Sequence, residues 1–108
     1  MPKQWDIVLT PFPFTDLTGN KVRPVVIISN KLKGDDVIVL FISSVKKNIT
    51  NFDIKVKSSQ ENGLKADSVI KCSKIATLEK KIILGELGTL EKEKQKEISI
   101  RIKNLFDL

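Results

Sequence analysis

Val22-Arg23-Pro24-Val25-Val26-Ile27-Ile28-Ser29 is the stretch on which the fold turns. Its run Val25-Val26-Ile27-Ile28 is β-branched throughout, and such side chains are stiff at χ1 and fit a pleated surface better than a helix. A short apolar run of this kind predicts a central strand. The segment 30–36 reads as a turn centred on Gly34. Val37-Ile38-Val39-Leu40-Phe41-Ile42 then predicts a second central strand. Upstream, Asp6-Ile7-Val8-Leu9-Thr10 reads as a short buried strand. Pro11-Phe12-Pro13-Phe14 ends it, since each proline lacks a ladder donor and disfavours helix before it. Thr15-Asp16-Leu17-Thr18-Gly19-Asn20 is a polar, turn-rich loop.

Downstream, residues 46–51 are a polar connection. Phe52-Asp53-Ile54-Lys55-Val56-Lys57 alternates apolar and charged residues and predicts a half-exposed strand. Residues 58–63 form a loop. Ser68-Val69-Ile70-Lys71-Cys72 suggests another strand, followed by 75–78, and Ile82-Ile83-Leu84-Gly85 a short last one. The tail changes period. Thr89 is placed to cap a helix over 91–105, whose first turn carries Glu91 and Glu93 at the positive end of the dipole. Ile98, Ile102 and Leu105 follow at helical spacing, with Phe106 adjacent. The expected architecture is one domain over 1–108, of class α+β: a small SH3-like β-barrel of five to seven strands with a C-terminal α-helix.

The chain has 108 residues, and 41% of them are apolar, enough for one modest core. No apolar run approaches a membrane span, and no apolar segment follows the first residues as in a signal peptide. The single cysteine, Cys72, excludes an internal disulfide, so the cytoplasm is the expected address. The net charge of +6 favours contact with polyanions. Lysine carries most of it; Arg23 and Arg101 are the two arginines. No histidine is present, which excludes imidazole acid/base pairs and imidazole metal sites. No carboxylate cluster has the spacing of a two-metal nuclease. No cofactor is expected.

Three stretches carry a resemblance. Trp5-Asp6-Ile7-Val8-Leu9, with Pro11-Phe12-Pro13-Phe14-Thr15-Asp16 and the Arg23-Pro24 strand start, resembles the opening of PemK/MazF toxins. Trp5 stands where that family usually has glycine. Ile42-Ser43-Ser44 is similar to the family's hydroxyl-bearing strand end, where threonine is common. Gly63-Leu64-Lys65-Ala66-Asp67-Ser68-Val69-Ile70-Lys71, continuing to Ile75-Ala76-Thr77-Leu78, is similar to its Asp-Ser strand and the segment after it. Each motif alone is weak, but their order covers nearly the whole chain.

The resemblance implies Arg23 as the essential arginine, since a guanidinium can hold two oxygens of a phosphorane as its charge builds. It implies Ser43 as a catalytic hydroxyl that orients the scissile phosphate, with Ser44 as its neighbour on the opposite face. Asp16, Thr18, Asn20 and Lys21, in the loop before Arg23, are expected to contact RNA, and Phe12 and Phe14 either stack on bases or anchor the loop. Lys71 is a further phosphate contact. One branch of the family flanks a cysteine with an arginine and an aspartate that act as acid and base. Here the triplet is Lys71-Cys72-Ser73, and Ser73 does not replace a carboxylate. Ala76-Thr77 stands where the family commonly has Arg-Thr. Cys72 reads as core and Asp67 as a turn carboxylate.

The expected function is the toxin of a type II toxin-antitoxin system, a sequence-specific, metal-independent endoribonuclease. It would leave 2′,3′-cyclic phosphate and 5′-hydroxyl ends on single-stranded RNA. A homodimer and a cognate acidic antitoxin go with it. Two alternatives stay open: a non-catalytic barrel that binds RNA or an acidic peptide, and a CcdB-like topoisomerase poison.

Overall fold

The computed structural model describes residues 2–11 and 21–108. Among these described residues six strands and one α-helix follow in order: β1 (Asp6–Pro11), β2 (Val22–Ser29), β3 (Asp36–Ser43), β4 (Asp53–Val56), β5 (Ser68–Glu79), β6 (Gly85–Thr89) and α1 (Lys92–Phe106). All pair antiparallel in one curled sheet of order β4-β5-β3-β2-β1-β6. The α+β class, the SH3-like half-barrel and the C-terminal helix are as expected. Among the described residues no helix is long and apolar enough to cross a membrane.

The unbroken apolar runs of β2 and β3 are explained by burial on both faces of the sheet. On one face, cross-strand pairing aligns Ile7 with Val26 and Val26 with Leu40. There Ile54, Ile70, Leu90 and Ile98 complete the larger core. The other face aligns Val8 with Val25, Ile27 with Val39, and Val39 with Ala76. These residues form a second cluster, closed by Leu78 and Ile83. Ile98 is the one fully buried side chain of α1 among the described residues, and Ile102 packs beside it.

No ladder joins the edge strands β4 and β6 among the described residues. The chain after β4 instead lies directly on β6. The Thr89 N–H donates to the Glu61 carbonyl at 2.9 Å. A Cβ on Gly88 would collide with that same carbonyl, and one on Gly63 with the carbonyl of Leu87. Two glycines therefore let the half-barrel close by backbone contact.

Four expectations change in detail. The two stretches expected over 68–78 form one strand, β5, because the chain crosses an irregularity without leaving the sheet: Phe41 faces Lys71 while Leu40 faces Ile75, so Cys72, Ser73 and Lys74 have no partner on β3. The last strand is Gly85–Thr89, not 82–85; Lys80–Ile82 is a 3-10 turn. Thr89 does not cap the helix. It lies in β6, and its hydroxyl donates to Asp6 Oδ1 at 3.1 Å. Glu91 occupies the cap position without a cap bond from its side chain. Asp53, expected on an exposed face of β4, is buried.

Candidate active site

Strand register assembles the site. Thr10 faces Arg23 on β1 and β2, and Val25 faces Phe41 on β2 and β3. The pairing of β2 with β3 ends at Val25 and Phe41, and Arg23 and Ser43 each lie two residues beyond it along their strands. Cross-strand partners share a face, and residues two apart share it as well. Arg23, Ser43, Phe41 and Lys71 therefore belong to one face of the sheet, while Pro24, Ile42 and Ile70 turn to the other.

The two arginines differ in their engagement. Arg101 Nη1 donates to the Asn51 carbonyl at 2.8 Å and ties α1 to the chain before β4. Arg23 is half-buried and makes no side-chain hydrogen bond or ion pair among the described residues. Beside it, Thr10 is buried with no partner for Oγ1 among the described residues.

Ser43 accepts the Val45 N–H at 3.0 Å on Oγ, a local turn that fixes the hydroxyl while leaving its proton to donate. Ser44 is exposed in the bend that follows. It shares with Arg23 a cleft of about 470 Å³, walled by Leu9, Pro24, Ile42 and Leu64. Arg23 thus shares its strand face with Ser43, and with Ser44 a cleft whose walls Pro24 and Ile42 belong to the opposite face. A larger recess of about 640 Å³ lies between β4 and the start of α1, among Lys55, Lys57, Asp67 and Glu91. It holds none of the expected site residues.

Lys71 does not stand alone. Its Nζ donates to Asp53 Oδ2 at 3.1 Å, and that oxygen also accepts the Thr50 N–H at 2.9 Å. Asp53 is the functional candidate that sequence reasoning missed. The alternating β4 pattern puts it on the same face as Lys55, but its partner is visible only once Asp53 is known to face Lys71. Ser73 is exposed within the irregular part of β5. Ala76 packs in the second apolar cluster.

Burial, with Asp53 nearby, pushes the Cys72 thiol up to about 11, which keeps it neutral and unreactive as a nucleophile. Asp67 accepts the Ser58 N–H at 2.9 Å, and that bond holds its carboxyl below the usual range. It is a turn carboxylate, as read from the sequence. Lys21 is exposed just before β2. Asp16, Thr18 and Asn20, with Phe12 and Phe14, lie outside the described residues. Among the described residues no three carboxylate or thiol groups come together as a metal ion would need.

Comparison with known proteins follows the same outline. A family described as the PemK-like, MazF-like toxin of type II toxin-antitoxin systems matches residues 3–106. An endoribonuclease from a mycobacterial species, solved in complex with its cognate antitoxin, is similar with a TM-score of 0.79 at 15% identity, over 100% of this chain and 97% of that one. Toxin MazF-mt6 of Mycobacterium tuberculosis is similar with a TM-score of 0.76 at 22% identity, over 95% and 97%. MazF of Deinococcus radiodurans gives 0.78 at 14%, over 99% and 97%. At these identities the likeness is one of fold. Comparison with curated protein sequences finds no match.

Proposed function

The chain belongs to the PemK-like, MazF-like toxin family of type II toxin-antitoxin systems, and from that premise we propose that it is a sequence-specific endoribonuclease acting on single-stranded RNA such as mRNA. It cuts without a metal ion, by attack of an internal 2′-hydroxyl, leaving a 2′,3′-cyclic phosphate and a 5′-hydroxyl. The observation that supports this reading is that Arg23 and Ser43 continue one sheet face beyond the Val25–Phe41 pair, with Arg23 free of side-chain partners among the described residues.

Arg23 is the electrostatic element. A guanidinium has a forked set of donors and stays charged, so it binds two non-bridging oxygens more strongly as negative charge builds on them. Among the described residues no carboxylate has to be broken away first. Ser43 donates its hydroxyl proton to the same phosphate, while the Val45 N–H keeps its oxygen in place. This orients the phosphorus for in-line attack. Lys71, on the same face as Ser43, contacts a neighbouring part of the strand, and Ser44 and Lys65 line the cleft that Arg23 borders on the other face. Asp16, Thr18, Asn20 and Lys21 contribute base and backbone contacts.

The mycobacterial endoribonuclease similar to this chain was solved with its cognate antitoxin. By the same reading, this protein works as a cytoplasmic homodimer and is held inactive by an acidic antitoxin segment.

The test is cleavage of a long defined RNA by purified protein in EDTA, beside Arg23→Ala and Ser43→Ala. Wild type should cut at one short motif. Arg23→Ala should lose roughly 10²–10³-fold in rate, the usual cost of one donor to a developing oxyanion, and Ser43→Ala less. Intact RNA with folded wild-type protein would sink the enzyme reading and leave the binding barrel that Ser73 and Ala76 also suit.

A further inference from the structure

We propose that Asp53 is a positioning residue that fixes Lys71 as the contact for a second, non-scissile phosphate of single-stranded RNA. The proposal rests on the reading above for its ligand, single-stranded RNA, and not for the cleavage step.

Asp53 and Lys71 face each other on β4 and β5 and are joined at 3.1 Å, with side-chain exposures of 2% and 18%. Two other lysine pairs among the described residues differ. Lys81–Glu79 has exposures of 76% and 58%, and Lys94–Glu97 of 27% and 36%. Pairs that exposed are easily screened and contribute little. A pair taken out of water meets a desolvation cost that apolar side chains of similar volume would not incur. Its presence here is explained by a use for the charge.

The direction of the tether says what that use is. β3 separates β2 from β5, so Lys71 begins roughly 10 Å from the Arg23 strand. Its bond to Asp53 then draws the ammonium further away, toward β4. Arg23 and Lys71 therefore meet different phosphates, and the strand runs across the sheet from β2 toward β4. An ammonium has three donors. Asp53 takes one and leaves the rest for phosphate oxygens. A lysine already held in place loses less freedom on binding than a mobile one. Lys71 then serves grip, in place of the acid role its position beside Cys72 suggests.

Binding is measured by fluorescence anisotropy, with a single-stranded oligoribonucleotide carrying 2′-O-methyl groups, which internal attack does not cut. In wild type the logarithm of affinity falls linearly with that of salt concentration. Lys71→Met should lower this slope by about 0.7, the loss of one single-strand phosphate contact. Asp53→Asn should weaken binding several-fold even though it removes a negative charge, and Asp53→Glu should recover part of the loss. A purely structural pair predicts the opposite sign for Asp53→Asn, because the more basic protein binds RNA as well or better. That result, or an unchanged slope in Lys71→Met, overturns the proposal. Thermal melting confirms that each variant folds, and Lys71→Gln replaces Lys71→Met if the latter does not. Unmodified RNA is tested for cleavage in parallel. A wild type that binds with the expected slopes but leaves RNA intact loses the nuclease reading and keeps this one. A wild type that cuts while the slope stays unmoved does the reverse, and one that does not bind RNA loses both.

Discussion

Trp5 sits in a left-handed backbone conformation, with φ at +76°. That region disfavours a Cβ and suits glycine. The conformation is held from both sides: the Trp5 N–H donates to the Ile27 carbonyl at 2.6 Å, and its own carbonyl accepts the Leu90 N–H at 2.9 Å. Its indole packs on the larger core. A strained backbone and a large packing contact thus share one residue. Two substitutions separate them. Trp5→Ala loses the packing and keeps the strain; Trp5→Gly loses the packing and relieves it. Trp5→Gly should therefore be the more stable of the two by about 1 kcal/mol in urea titration. Equal stability would mean that the backbone relaxes once the indole is gone.

At the scale of elements, the informative strands are those that break their pattern. The Val/Ile runs of β2 and β3 were legible because a strand buried on both faces must be apolar at every position. β6 was not. Gly85-Glu86-Leu87-Gly88-Thr89 has neither an apolar run nor alternation. It becomes a strand because β1 offers an edge and because Gly88 lets the Glu61 carbonyl approach. Gly88→Ala should destabilise the protein by about 1–3 kcal/mol through forced displacement of backbone. Hydrogen exchange should locate the loosening at 58–63 and β6. An undisturbed Thr89 amide in that variant would show that the close approach is dispensable. β5 was legible only in halves, since the residues between them, Ser73 and Lys74, are polar. On the other edge of β5 the Cys72 N–H donates to the Phe52 carbonyl at 3.1 Å, which carries the β4 ladder one residue past Lys71.

Across the whole molecule, one polar junction ties the helix start to the loop after β4. Ser59 donates its hydroxyl to Glu91 Oε2 at 2.6 Å, and Asn62 Nδ2 donates to both Glu91 oxygens. Burial pushes the Glu91 carboxyl up, but these bonds, with Lys94 nearby, outweigh it and hold the group below its ordinary 4.5. A carboxyl whose pKa is lower folded than unfolded adds stability above the unfolded value, and that stability is lost as pH falls through the folded one. Wild type should therefore exceed Glu91→Gln in urea midpoint at pH 7, and the gap should close as pH drops below 4.5. A gap independent of pH would assign Glu91 to packing instead of charge.

The chain by itself determined the α+β class, the strand-rich body with a terminal helix, the family resemblance, and Arg23 and Ser43 as the residues to test. Each of these is written in neighbouring residues: β-branched runs, helical spacing, an Arg-Pro strand start, a serine pair where a strand ends. Tertiary structure decided what depends on register. It set Arg23 and Ser43 on one sheet face, paired Lys71 with Asp53, assigned Ala76 to a second core, and closed the half-barrel through Gly63 and Gly88. Local pattern specifies which face of a strand is apolar. It does not specify which residue of another strand stands opposite, because that depends on irregularities such as the one at Cys72-Ser73-Lys74.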